Sequence, residues 1–137
     1  MITIEKSVTA DLPAIIEIEE RSFSKPWSKN QFEGSINNFY TAKKDGKIVG
    51  FIGVQLIEDE AHILHMAVDP AFRGQGISKK MMEFALNFPA RKWFLEVRAG
   101  NIAAQKLYES YGFKVISRRR KYYQDNDEDA LIMELMV

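Results

Sequence analysis

Cysteine is absent from the 137 residues of this chain. A cysteine acyl-enzyme and a thiolate metal site are therefore excluded, and the composition is compatible with the cytosol. Net charge is absent as well. Nineteen basic side chains cancel nineteen acidic ones, so no global field favours nucleic acid or an anionic membrane. No apolar run approaches the length of a membrane span, and the opening Met-Ile-Thr-Ile-Glu-Lys does not resemble a signal peptide. Internal repeats, linkers and low-complexity tracts are also missing. What is present suffices for a real core, because 46% of the residues are hydrophobic and 12% aromatic. The expectation is one cytoplasmic domain over residues 1–137, with no nucleic acid and no membrane among its partners.

Along the chain, strand and helix patterns alternate. Residues 2–8 read as a strand, and 11–22 as a helix carrying Leu12, Ile15, Ile16, Ile18 and Glu19. Ser28 and Gln31 form a capping-box pattern for a short helix through residue 36. Residues 39–44 and 47–57 predict a hairpin about Asp45-Gly46, a favoured tight-turn pair. Strands follow at 61–68, 93–98, 113–119 and 130–136. A helix follows the glycine pair near residue 75. Another covers 101–111, with Gly112 as its stop. The fold class is α/β (α+β), one domain around a mixed sheet.

The stretch after residue 68 carries the most chemistry. A strand ends at Val68, Asp69-Pro70 turns the chain, and a loop with Gly74 and Gly76 opens a helix. Such a junction presents backbone N–H groups and the positive end of a helix to one anion, with phosphate or pyrophosphate as the natural guest. Glycine lets the backbone approach because no Cβ intervenes. The dinucleotide pattern G-x-G-x-x-G fails, since position 79 is Lys79, and the Walker pattern has no match. Arg73-Gly74-Gln75-Gly76-Ile77-Ser78 instead resembles the [QR]-x-x-G-x-[GA] signature of the GNAT superfamily of acetyltransferases. In that family the loop holds the pyrophosphate of acetyl-coenzyme A. Ser78 is a departure, standing where the family usually has Gly or Ala.

A second constellation runs Leu95-Glu96-Val97-Arg98-Ala99-Gly100-Asn101 and on to Ala104, Tyr108, Gly112 and Phe113. Asn101 and Tyr108 lie seven apart, so a helix places them on one face. A carboxylate and a phenol at a strand end beside a cofactor loop make a sensible acid–base pair. A carboxylate can take the proton of an attacking amine if burial raises its pKa above about 4.3. Tyrosine, with a reference pKa of about 10, keeps a proton at neutral pH for the leaving thiolate. Each residue also has a plainer reading: Glu96 facing water, Tyr108 an aromatic at the core edge, Asn101 an N-cap.

The pattern L-E-V-R-x-x-N followed by A-x-x-x-Y-E-x-x-G-F resembles one GNAT branch, the RimI-type N-terminal protein acetyltransferases. The likeness extends to Asp11-Leu12-Pro13, the region from Ile18-Glu19 to Trp27-Ser28, Ala67-Val68-Asp69-Pro70, Arg119, Tyr122-Tyr123 and Glu128-Asp129-Ala130-Leu131-Ile132-Met133. It implies the GNAT fold, a mixed central sheet of about seven strands flanked by about four helices. Glu96 falls on the family's proton acceptor and Tyr108 on its proton donor. Asn101 falls on a cofactor-contacting asparagine. Met66, Ala67 and Val68 fall on the strand whose backbone meets the acetyl and pantetheine groups. Residues 24–28 and Tyr122-Tyr123 fall where the family borders its peptide groove. The implied co-substrate is acetyl-CoA, with no metal, and the implied partner is a protein or peptide N-terminus, such as that of a ribosomal protein. Acetylation of a small amine such as a polyamine or aminoglycoside is the alternative. A non-catalytic acyl-CoA-binding module is a further one.

Other signals fade. The basic and aromatic run from Arg118 to Tyr123 meets an acidic run directly after it, which favours a solvated strand end. Asp125, Asp127 and Asp129 imitate calcium-loop ligands, but Ala130 and Met136 replace the required Gly and Glu. His62 and His65 lie three apart on a strand and point to opposite faces, so they cannot jointly bind a metal. Met81-Met82 reads as core. Glu128 and Asp129 are read as groups that attract a basic second residue of a substrate.

Overall fold

A computed structural model of the chain describes residues 1–123 and 126–137, so Asp125 of the calcium-like run lies outside the described residues. The strands are β1 (Ile2–Lys6), β2 (Phe39–Lys44), β3 (Lys47–Ile57), β4 (Glu60–Val68), β5 (Lys92–Arg98), β6 (Lys114–Arg119) and β7 (Ala130–Met136). The helices are α1 (Leu12–Ser22), α2 (Lys29–Ser35), α3 (Ile77–Ala85) and α4 (Ile102–Ser110). The strands form one mixed sheet in the order β1-β2-β3-β4-β5-β7-β6. The β4–β5 pairing is parallel, running from Glu60↔Lys92 to Ile63↔Leu95. The β1–β2, β2–β3, β5–β7 and β6–β7 pairings are antiparallel.

The chain divides into two compact units. The first comprises Met1–Val54 and His65–Phe88. Its hairpin turns as expected: Asp45 and Gly46 both take positive φ, 51° and 81°, the twist that a two-residue turn needs. Leu12, Ile15 and Ile18 of α1 meet Phe32, Phe39, Phe51 and Ala67 in one apolar cluster. The expected first strand and helix are each shorter at their junction. Asp11 does not open α1. Its carboxylate accepts the Val8 N–H at 2.9 Å and closes a 3-10 turn over Thr9–Asp11. The capping box of α2 is reciprocal: Ser28 Oγ accepts from Gln31 N at 3.2 Å and Gln31 Oε1 from Ser28 N at 2.7 Å. That helix ends one residue early and tightens into a 3-10 turn at Ile36–Asn38, where the two asparagines are poor helix formers. Met81 and Met82 are both fully buried, as read.

The second unit comprises Gln55–Leu64 and Pro89–Val137. Trp93, Leu95 and Val97 alternate inward along β5, and Phe113, Leu131 and Met133 are buried with them. Gly112, at φ 99°, stops α4, and its N–H bonds Glu109 O at 2.9 Å. Every residue of β6 is exposed, including the arginines read as a solvated strand end.

Candidate functional site

In the first unit the end of β4 is held from two sides. The Asp69 N–H bonds Val49 O at 2.8 Å, and its carboxylate, 1% exposed, accepts from Arg21 Nη2 at 2.9 Å. The same carboxylate accepts the Ala71 N–H at 3.0 Å and starts a 3-10 turn over Pro70–Phe72. This fixes the direction in which Arg73 to Ser78 leave the sheet. Gly74 and Gly76 have φ of 80° and 78°, in the left-handed region that favours glycine. A Cβ built at either would meet no atom within 4 Å, so the backbone lies open to an approaching group. Gly76 caps α3 and brings no side chain to its first-turn amides. Arg73 is exposed, Ser78 is half-buried, and Ile77 turns into the core. Lys44 Nζ donates to Gln75 Oε1 at 2.8 Å, and Lys47 Nζ stands over the Phe72 ring at 5.1 Å. Positive charge, a helix start and exposed glycine backbone converge here. That is the chemistry of a phosphate or pyrophosphate cradle.

Further back along β4, Ala67 is buried while Met66 and Val68 are half-buried. His65 precedes them and carries a feature that pattern reading missed. Its Nε2 lies 2.7 Å from Glu19 Oε1, and the other Glu19 oxygen accepts the Trp27 N–H at 2.8 Å. The missed signal was visible in principle: Glu19 sits on the apolar face of α1, where an acid needs partners.

In the second unit Glu96 is exposed on β5. The water-facing position is the plainer of the readings its sequence allowed. Its Oε1 accepts from the Tyr123 hydroxyl at 2.9 Å, so the phenol bound to this carboxylate is Tyr123. Burial first, then the bond and charge of Glu96, raise the Tyr123 pKa. The Arg98 guanidinium lies 3.8 Å from the Tyr123 ring centroid. Glu128 ties this cluster to the next turn, accepting from Gly100 N at 2.6 Å and from Arg98 Nη1 at 3.3 Å. The Gly100 N–H, helped by Asn126 and Arg98, holds the Glu128 carboxyl below the usual carboxylate range. Asp129 is likewise engaged, by Arg118 Nε at 2.5 Å and the Lys121 N–H at 2.9 Å. Both acids read as substrate attractors thus brace their own chain.

Asn101 takes the plainer of its two readings locally. Its Oδ1 accepts the Ala104 N–H at 3.1 Å and caps α4, which begins at Ile102 instead of Asn101. Tyr108 is 8% exposed and packs edge-on against Phe113 at 6.0 Å. Burial pushes its pKa up to about 12, so its hydroxyl keeps its proton throughout the neutral range. A protonated phenol on α4 and an exposed carboxylate on β5 can respectively give and accept a proton.

Residues 11–113 match the profile of the acetyltransferase (GNAT) family. This chain belongs to that family. It is thus an acetyl-CoA-dependent N-acetyltransferase with the GNAT fold. It is 38% identical to the [ribosomal protein bS18]-alanine N-acetyltransferase of Escherichia coli (strain K12), over 100% of this chain and 99% of that protein. It is 34% identical to the N-alpha-acetyltransferase RimI of Mycobacterium tuberculosis (strain ATCC 25618 / H37Rv), over 96% of this chain and 90% of the relative. The crystal structure of the ribosomal-protein-S18-alanine N-acetyltransferase from Escherichia coli superposes with a TM-score of 0.90 at 36% identity. That superposition covers 100% of this chain and 94% of the other.

Proposed function

We propose that this GNAT acetyltransferase acetylates the α-amine at the N-terminus of a protein, with the N-terminal alanine of a ribosomal protein as its target. The observation that carries the reading is the 38% identity, along the whole chain, to an enzyme named for that reaction. The family match at 11–113 draws on both compact units, which supports one domain over residues 1–137. Acetyl-CoA supplies an acetyl group activated as a thioester. Arg73, Gly74, Gln75, Gly76, Ile77 and Ser78 would hold its pyrophosphate, and the open glycine backbone fits that guest. Asn101 is assigned a cofactor contact besides its cap. Backbone N–H groups near Met66, Ala67 and Val68 would face the negative charge developing on the carbonyl oxygen.

Glu96 acts as the base. It accepts the proton of the attacking amine, directly or through one water. Tyr108 acts as the acid and gives its hydroxyl proton to the departing thiolate. An α-amine suits a carboxylate base better than a lysine side chain does, because its pKa of about 8 lies well below the roughly 10.4 of lysine. The test is mass spectrometry on matched peptides. One has a free N-terminal Ala, and the other is N-terminally blocked with an internal lysine. Modification of the free alanine is expected. Preference for the blocked lysine peptide, or for spermidine over both, would transfer the assignment to a lysine or small-amine acetyltransferase. Acetyl-CoA binding with no thiol release on any acceptor would make the chain a binding module.

A further inference from the structure

Glu19 is a buried carboxylate that the proposed chemistry does not use. It is 1% exposed, on a helix face otherwise given to Leu12, Ile15 and Ile18. Burying such a group is costly unless each oxygen is satisfied, and packing alone would be served as well by leucine. What a carboxylate offers and leucine cannot is direction. One oxygen receives the Trp27 N–H at 2.8 Å and the other meets His65 Nε2 at 2.7 Å. The His65 ring lies flat on the Trp27 indole, with centroids 4.7 Å apart and planes 5° apart, and reaches Phe23 at 5.0 Å. Trp27 is backed in turn by Phe32 at 5.2 Å and Phe39 at 5.9 Å.

All of these contacts act on residues 23–28, the stretch between α1 and α2 that forms neither helix nor strand. Ser24, Lys25 and Pro26 at its crest are exposed, while Phe23 and Trp27 turn inward. A six-residue connection tethered only by its ends would sample many conformations. This one is also tied to β4 through the side chains of Phe23 and Trp27, both against His65, the residue directly before Met66.

We propose that Glu19 and His65 are positioning residues for the acceptor. Together they hold residues 23–28 in one geometry beside Met66, Ala67 and Val68, so that the first residue of the acceptor meets a preformed surface. The inference rests on the reading above that the acceptor is a peptide N-terminus bordered by residues 24–28. A preformed surface lowers the ordering cost of binding and leaves the chemical step alone, so the effect belongs in the acceptor KM.

The experiment is steady-state kinetics on the whole chain, wild type, His65→Leu, His65→Gln and Glu19→Gln, with acetyl-CoA and a peptide starting in Ala. Melting temperature and the exchange rate of the Trp27 amide are measured on the same samples. His65→Leu is expected to raise the acceptor KM about fivefold or more, with kcat and the acetyl-CoA KM within about twofold. Trp27 amide exchange should quicken about tenfold as its segment loosens. His65→Gln can still donate to Glu19 and should recover much of the KM. Should His65→Leu fail to fold, Glu19→Gln, which keeps the side-chain shape, decides on the same measurements. A lowered melting temperature with an unchanged acceptor KM would make the pair structural only and overturn the proposal. A wild type that acetylates spermidine and ignores the peptide refutes the peptide reading instead. The variants' KM for spermidine then decides on the pair: a rise upholds it and no change overturns it.

Discussion

Replacing Tyr108 with phenylalanine isolates the hydroxyl from the ring. The ring is 8% exposed and packs against Phe113, and phenylalanine keeps that contact, so the fold and acetyl-CoA affinity should survive. The hydroxyl itself is set by burial. Its pKa rises from 10.0 to about 12, a difference worth roughly 3 kcal/mol in favour of the neutral form. At pH 7.5 the ionised fraction thus drops from roughly one in 300 to roughly one in 30,000. The linkage runs with the raised pKa: stability from neutral Tyr108 is complete below about pH 10 and is lost as pH climbs through about 12. Tyr108→Phe lacks that alkaline loss. If Tyr108 returns the proton to the thiolate, its removal should lower kcat roughly 10²–10⁴-fold, or about 2.7–5.4 kcal/mol of barrier. The assay is thiol release at saturating acetyl-CoA across pH 6 to 10, on wild type and variant of equal melting temperature. Wild-type kcat should show no falling limb from this group up to about pH 10, because the phenol still holds its proton there. A Tyr108→Phe enzyme within about twofold of wild type from pH 6 to 9 would refute the role. A falling limb near pH 10 that vanishes in the variant would refute the raised pKa.

Gly76→Val forces a β-branched residue to φ 78° in otherwise open space, a strain of about 1–3 kcal/mol that the fold should tolerate. Calorimetry should then find acetyl-CoA bound at least about tenfold more weakly, and unchanged affinity would remove the loop from the site. Glu96→Gln keeps an oxygen for the Tyr123 hydroxyl but cannot take a proton. It should therefore slow turnover most at low pH, where free amine is scarcest, and a uniform loss across pH would argue against a base. Glu128→Gln tests a depressed carboxyl, whose stability contribution is present at neutral pH and lost as pH falls. The melting-temperature gap to wild type should be widest near pH 7 and close below about pH 4, and a gap that widens with acid would contradict the assigned sign.

What the sequence determined by itself is the local part of this protein. Asp45-Gly46 imposes its turn through two positive φ angles, Ser28 and Gln31 close their own box, and the glycines before α3 take left-handed angles with no Cβ to cover the backbone. These features depend on neighbours within four residues, so propensity and spacing suffice to read them. The family likeness was legible for a related reason, since short motifs at set spacings survive in the order of residues alone. The tertiary structure decided what lies far apart along the chain. Tyr123 reaches Glu96 across 27 residues, Glu128 reaches Gly100 across 28, and His65 reaches Glu19 across 46. Sheet register and helix packing select those partners: helical spacing places Glu19 on the apolar face of α1 but does not name His65, and no local rule distinguishes Tyr123 from Tyr122. Asn101 shows both levels in one residue: its capping bond to Ala104 is local, and any part it plays beyond that bond is set by what the folded chain brings to it.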